Sequence, residues 1–192
     1  MFAVFGTQMT LVQGRDQLLS REDPDVAAEV ADILTSQGVD LRLGVRTAAV
    51  HREPDHGEVA MTLEDGSTVW GEELLVATRR TPVTANLGLE SAGVATTDRG
   101  FVTVDGHLCT SAEHVWAAGD VAGSPQFTHV LWHDFRILKA NLTGGHAVTT
   151  GWLVPYTVFV TPELARVGLS ETEARRTGRR VAVARIPVSA IP

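Results

Sequence analysis

A chain of 192 residues, 44% hydrophobic and 20% charged, is long and apolar enough to bury roughly 70% of its unfolded surface, which excludes a disordered or fibrous class. A formal net charge of -7 with no block of Lys or Arg excludes the basic face that a nucleic-acid partner requires. No apolar run approaches the roughly 18 residues that span a bilayer, and the start MFAVFGTQMTLVQG has no signal-peptide pattern, so a soluble, cytoplasmic chain is expected.

Thr10 to Gly14 is a short apolar strand candidate, and the segment after it carries strong helix punctuation. Asp23 suits the cap, Pro24 the first helical position and Gly38 the stop. Val26, Val30, Ile33 and Leu34 then share one face, with Glu29 and Asp32 turned away. Val39, Leu41 and Leu43 alternate as a strand, so Thr10 to Leu43 reads strand, helix, strand, a crossover unit. Asp65 and Gly66 lie between two alternating runs and predict a hairpin turn. Leu74 to Thr78 is continuously apolar, as in a central strand covered on both faces, and Arg79 to Pro82 breaks it.

Val83 to Gly100 reads as loop, followed by strand candidates in FVTVDGHL and HVWAAG. From about Phe127 to Leu142 the pattern is helical, with Val130, Leu131, Phe135 and Leu138 on one face, stopped by LTGG. Ser170 and Glu173 form a capping box before a short helix, and Val181 to Ile186 reads as a last strand. Cys109 is the only cysteine, so the chain has no intrachain disulfide and no CxxC motif; a small core hydrophobe is expected there. Trp116 and Trp132 are expected in the core, and Glu163 is assigned a structural role.

In open α/β sheets ligands collect beyond the carboxyl ends of strands, which draws attention to Gly119 and Asp120 in VWAAGDVAG. No cation adjoins Asp120 in the sequence. Its carboxylate can cap a turn. It can equally accept hydrogen bonds from a pair of hydroxyls on a sugar or ribityl chain, with Gly119 letting a ligand approach the backbone. Eight residues on, the helix start near Thr128 offers free N–H groups and a partial positive charge suited to the negative charge gained by a reduced flavin ring. His129 and His133, four residues apart with Asp134 beside them, can be drawn as a metal site; no third ligand follows at a recognisable spacing, and no metal is assigned.

LLVATRRTP, HVWAAGDVAG, QFTHV and VPYTVFVTPELARVGLSETEA, in this order, resemble the FAD-dependent pyridine nucleotide disulfide oxidoreductases, which include glutathione reductase, lipoamide dehydrogenase and mercuric reductase. SPQFTHV with DFRI, and the terminal RIPVSAIP, are most similar to the mercuric reductase-like branch and to the bacterial reactive-chlorine resistance flavoproteins within it. The resemblance implies an α/β fold: incomplete Rossmann-like FAD- and NAD(P)-binding domains, then the start of an α+β dimerisation domain. It implies residues 1–81 as the C-terminal part of the NAD(P)-binding domain, 82–150 as a segment of the FAD-binding domain, and 151–192 as the truncated dimerisation domain.

It further implies a homodimeric oxidoreductase passing a hydride from NAD(P)H through FAD to a disulfide or another oxidised acceptor. Asp120 would bind the FAD ribityl hydroxyls and Thr128 would donate its backbone N–H to the flavin; Gly119 and Arg80 are also assigned to cofactor binding. Arg15 would meet a 2'-phosphate, since Gln13 stands where NAD-preferring members carry an acid, and this favours NADPH slightly. No residue of the chain is assigned a catalytic role. The redox cysteine pair, both Gly-rich loops and the family's catalytic His and Glu have no counterpart here, so an internal fragment, inactive alone, is expected. Arg79 stands where the family carries Gly; were a positive φ needed there, its side chain would cost about 1 to 2 kcal/mol. A non-catalytic remnant or oligomerisation module that keeps the fold without the cofactor is the alternative. A flavoprotein of another kind, such as an NADH oxidase or ferredoxin reductase, is disfavoured by VFVTPELARVG.

Overall fold

A computed structural model describes residues 1–55, 57–187 and 190. The chain forms two compact units, one of residues 1–76 with 157–192 and one of residues 77–156.

In the first unit, strand β1 (Thr10–Gln13), helix α1 (Pro24–Ser36) and strand β2 (Asp40–Leu43) make the expected crossover. The strands are parallel, in register from Thr10 opposite Asp40 to Gln13 opposite Leu43, a pairing that requires a long connection such as α1. Ala27 and Val30 are the buried residues of α1, with Val26, Ile33 and Leu34 half-buried around them and Glu29 and Asp32 exposed. Leu18 and Val39 complete that core.

Strands β3 (Thr47–Arg52), β4 (Val59–Leu63) and β5 (Thr68–Gly71) follow as an antiparallel sheet with β4 central. Val59, Ala60 and Leu63 of β4 are buried, whereas β3 is exposed along its whole length. An exposed strand has no apolar alternation to betray it, and β3 leaves no signature in the sequence. The hairpin between β4 and β5 turns on Gly66 (φ +86°), and Asp65 Oδ1 accepts from the Ser67 backbone N–H (2.9 Å) and hydroxyl (2.7 Å). These two bonds, the hydroxyl first, hold the Asp65 carboxyl below its ordinary pKa.

The later part of this unit contributes β7 (Leu164–Val167), which pairs with β6 (Pro155–Val158), and helix α3 (Glu171–Arg176). The capping box is present: Ser170 Oγ accepts from the Glu173 N–H at 3.1 Å, and the Ser170 N–H donates to the Glu173 carboxylate at 2.9 Å. Asp23 departs from expectation. It stands at the cap of α1, yet its carboxylate makes no bond to that helix and accepts from the Glu171 N–H (2.7 Å) and Thr172 N–H (2.9 Å) at the start of α3. The carboxylate thus meets the free donors and positive end of a distant helix. Half-buried Arg166 reinforces the junction by reaching Glu173 and, at 3.2 Å, the buried Glu22 carboxylate.

The second unit is built around helix α2 (Thr128–Leu142), with Val94, Val102, Leu108, Val130 and Ile137 buried. The strands expected in FVTVDGHL and HVWAAG reduce to two isolated bridges, Thr96 with Val102 and Cys109 with Trp116. Asp105 is the reason: its Oδ1 accepts from the Cys109 and His107 N–H groups and curls the chain before a ladder can extend. Those bonds, the one from Cys109 first, lower the Asp105 pKa.

Other expectations are also corrected. Leu74 to Thr78 is not a strand; it has no partner among the described residues, and Leu75 and Val76 are 68% and 69% exposed. Val181 to Ile186 likewise pairs with no strand among the described residues, and the end of RIPVSAIP lies outside them. The buried face of α2 is Val130, Asp134 and Ile137, with Leu131 and Phe135 exposed. Trp132, expected in the core, is 63% exposed.

Removing the link in Asp23→Ala is expected to cost about 1 kcal/mol of unfolding free energy, as loss of a helix cap does, measured by urea denaturation. Asp23 has its pKa lowered, first by the Thr172 hydroxyl and then by the Thr172 N–H. The ionised form therefore stabilises the fold, fully so above about pH 4. The difference between parent and variant should hold at neutral pH and shrink as the pH falls below about 4 through the lowered pKa.

Candidate functional site

The site grows from a turn in the second unit. After the bridge at Trp116 the backbone is extended at Ala118 (φ -140°, ψ 155°), then enters one turn of 3-10 helix, Gly119–Ala122, closed by Gly123 at φ +75°. Gly119 itself has φ +70°, and an added Cβ would lie 2.8 Å from Leu131 Cδ1. The space freed by the missing side chain is therefore filled by Leu131. Glycine at this position therefore suits both the left-handed φ and the packing of the turn against α2.

The Gly119 N–H donates to Asp134 Oδ2 at 2.8 Å, and the Ser124 hydroxyl donates to the same oxygen at 2.8 Å. Asp134 is only 2% exposed, one of two buried polar residues among those described. On the other side of the turn, the Val102 N–H donates to the Val121 carbonyl at 2.9 Å. The turn is clamped from both sides, and what it presents outward is Asp120.

The Asp120 side chain is 56% exposed, with Arg80 Nη1 3.5 Å from Oδ2. The cation absent from its sequence neighbourhood is supplied from forty residues upstream by the RRTP segment. An exposed pair at that distance is weak and readily exchanged for another partner. The two charges stand at a cleft of about 460 Å³ whose other walls include Pro82, Val83, Phe101 and Gln126. An apolar cleft with a few convergent polar groups is the usual form of a small-molecule site. Arg79 does not adopt a positive φ, so the strain weighed for it is not incurred.

Thr128 opens α2 and is exposed; the Phe127 carbonyl before it accepts from Val130 and Leu131 as the helix begins. His129 Nε2 is buried and lacks a hydrogen-bond partner. The His129 ring stacks on Phe127 (5.3 Å between centroids) and meets Trp152 edge-on, while His133 stacks on Trp152 at 4.1 Å. The two histidines converge on an indole, and no cluster of three metal-ligating side chains occurs among the described residues. Cys109 is half-buried.

Gly119, Asp120, Thr128 and Arg80 thus belong to one unit, and Arg15 to the other. Arg15 is exposed just past the carboxyl end of β1, where its carbonyl accepts from the Gly44 N–H beyond β2. Arg46 lies alongside, its Cγ 3.0 Å from the Cβ position of Gly14, a second guanidinium that the sequence did not single out. The burial of Asp134 is not anticipated from the sequence either. Its signal was present, a carboxylate between Val130 and Ile137 at helical spacing, yet it was noticed only as a neighbour of His133.

The model of the family described as pyridine nucleotide-disulphide oxidoreductase matches residues 1–133, and that of the family's dimerisation domain matches residues 154–192. The chain is 41% identical, over its full length, to the probable pyridine nucleotide-disulfide oxidoreductase RclA of Escherichia coli, of which it covers 43%. It is 31% identical to the mercuric reductase of Bacillus cereus, covering 31% of that protein. Among solved structures it superimposes on the Cu(II) complex of the HOCl-induced flavoprotein disulfide reductase RclA from Escherichia coli with a TM-score of 0.90, covering 100% of this chain and 44% of that one. LpdA from Mycobacterium tuberculosis gives a TM-score of 0.82 at 31% identity, covering 92% of this chain and 38% of its own. The chain therefore spans less than half the length of these relatives.

Gly119→Ala is expected to destabilise the protein by at least about 1 to 2 kcal/mol, the cost of a left-handed φ for an L residue, with the Leu131 clash added. Chemical denaturation measures it, and an unchanged midpoint would contradict the packing described.

Proposed function

This chain belongs to the pyridine nucleotide-disulphide oxidoreductase family, and on that premise we propose that it forms one end of an FAD site in a homodimeric, cytoplasmic NAD(P)H-dependent flavoprotein oxidoreductase. The observation that carries the proposal is Asp120 projecting from a turn that is bonded to α2 through Gly119 and Asp134, and lining an apolar cleft. Bound FAD would supply two-electron chemistry, taking a hydride from NAD(P)H and passing the electrons to an oxidised acceptor.

The residues present fit such a group. The Asp120 carboxylate would accept hydrogen bonds from ribityl hydroxyls, and each charge-assisted bond contributes about 1.5 to 3 kcal/mol. Arg80 pairs weakly and exchangeably with that carboxylate and keeps a positive charge at the mouth of the cleft. The Thr128 N–H and the partial positive charge at the start of α2 favour electron density on a ring placed against them. The orphaned His129 Nε2 lies in the same first turn and is a further polar atom awaiting a partner. Gly119 contributes through the turn it permits.

In the first unit, Arg15 at the carboxyl end of β1 is the proposed contact for the 2'-phosphate of NADPH, supported by Gln13 in place of an acid and by Arg46 nearby. The proposed division is nucleotide binding in residues 1–81, FAD binding in 82–150 and dimerisation in 151–192.

The test is flavin retention by the protein as its gene encodes it. Purified protein should be yellow, with flavin absorbance near 450 nm, an order-of-magnitude expectation of about one FAD per chain. Asp120→Ala should weaken FAD binding at least about 10-fold, since one charge-assisted bond is lost at minimum. A protein that stays colourless with excess FAD, or an Asp120→Ala variant that binds it as the parent does, would contradict the proposal.

A further inference from the structure

A carboxylate 2% exposed on the apolar face of a helix is costly unless it has a task, and packing does not explain Asp134. Val130 and Ile137, four residues before and three after, bury hydrocarbon against the core as an amphipathic helix should. Asp134 instead spends one oxygen on two donors from a single short segment, the Gly119 N–H and the Ser124 hydroxyl, each at 2.8 Å. The segment between those donors contains Asp120. The backbone groups at Gly119 and Val121, on either side of Asp120, are thereby both taken, by Asp134 and by Val102.

From this geometry we infer that Asp134 is a positioning residue for the cofactor: its buried carboxylate fixes the turn that carries Asp120 to the helix whose first residue is Thr128, setting the distance between the two FAD contacts. The inference rests on the reading of Asp120 as an FAD contact. Asp134 touches neither cofactor nor substrate. It acts through Gly119, whose left-handed φ of +70° strains any side chain and whose missing Cβ faces Leu131, three residues before Asp134 on α2. Shape and hydrogen bonding thus lock one turn onto one helix at two independent points. A binding geometry held this way needs little reorganisation when the ligand arrives, and preorganisation appears as affinity.

The chemistry of the lock separates charge from geometry. Both donors converge on Oδ2, and an asparagine with its carbonyl oxygen in that place accepts both bonds; alanine accepts neither. Apo-protein as its gene encodes it would be titrated with FAD for the parent, Asp134→Ala, Asp134→Asn and Ile137→Ala, with thermal midpoints recorded alongside. Ile137 is buried on the same face, and its truncation destabilises the helix without touching the turn.

The expected result is FAD binding weakened about 10-fold or more in Asp134→Ala, within about 3-fold of the parent in Asp134→Asn, and within about 3-fold in Ile137→Ala despite its lowered midpoint. Equal weakening in Asp134→Ala and Ile137→Ala, tracking the midpoints, would reduce Asp134 to a structural residue and overturn the inference. So would Asp134→Ala with parental affinity. If Asp134→Ala does not fold, Ser124→Ala, which removes one donor from the same oxygen, should weaken FAD binding several-fold, and parental affinity there overturns the inference instead. Asp120→Ala keeps the two readings apart: loss of FAD in that variant with none in Asp134→Ala sinks only the positioning role, whereas retention in Asp120→Ala sinks the FAD reading itself.

Discussion

Gly119 is held by three conditions at once: a left-handed φ of +70°, close packing of its bare Cα against Leu131, and an N–H committed to the buried Asp134 carboxylate. Each condition alone is met by many loop glycines. Together they leave the segment Gly119–Ala122 one arrangement relative to α2, and the position of Asp120 follows from it. An exposed acid on a mobile loop would lose side-chain and backbone freedom on binding a ligand; an acid on a clamped turn has lost the backbone part already. The cleft beside it, with Pro82, Val83 and Phe101 in its walls, supplies the apolar contact, and Arg80 supplies the counter-charge.

The first unit uses the same device for a different end. Asp23 begins α1, yet its carboxylate serves the start of α3, almost 150 residues later in the chain. Arg166 bridges Glu22 and Glu173 at the same place. The two segments of this unit, 1–76 and 157–192, are tied by charge-assisted bonds to helix ends, where backbone donors would otherwise go unpaired. Such bonds are directional, so they specify which part of a distant segment docks as well as that it docks.

Local chemistry was legible in the sequence where the cause is local. The β1-α1-β2 crossover, the Asp65–Gly66 hairpin and the Ser170 capping box each follow from residues a few positions apart, and each is present. The fold class and family were legible too, through the order of the motifs around Arg79, Asp120 and Pro155. What escaped depended on partners far away in sequence. The Leu74 to Thr78 run is apolar enough for a central strand, but a strand exists only by pairing, and no described strand flanks it. Leu131, Trp132 and Phe135 were placed inward because they are apolar, while Asp134 was not, because it is charged; the helix is rotated so that Asp134 points in. A hydrogen bond 15 residues back outweighs the apolar pattern, and periodicity alone contains no term for it. Arg80 and Asp120 are both assigned to the cofactor from the sequence, but the ion pair between them, across forty residues, has no sequence signal.

The central claim is that Asp120, aimed by a rigid turn, holds the ribityl chain of FAD. A crystal structure of the FAD-loaded protein tests it most directly. The expected result is an Asp120 carboxylate oxygen within hydrogen-bond reach of a ribityl hydroxyl, at about 2.5 to 3.0 Å, with the Gly119–Asp134 bond kept. FAD bound elsewhere, or bound with Asp120 still paired to Arg80 and no ribityl contact, would contradict it.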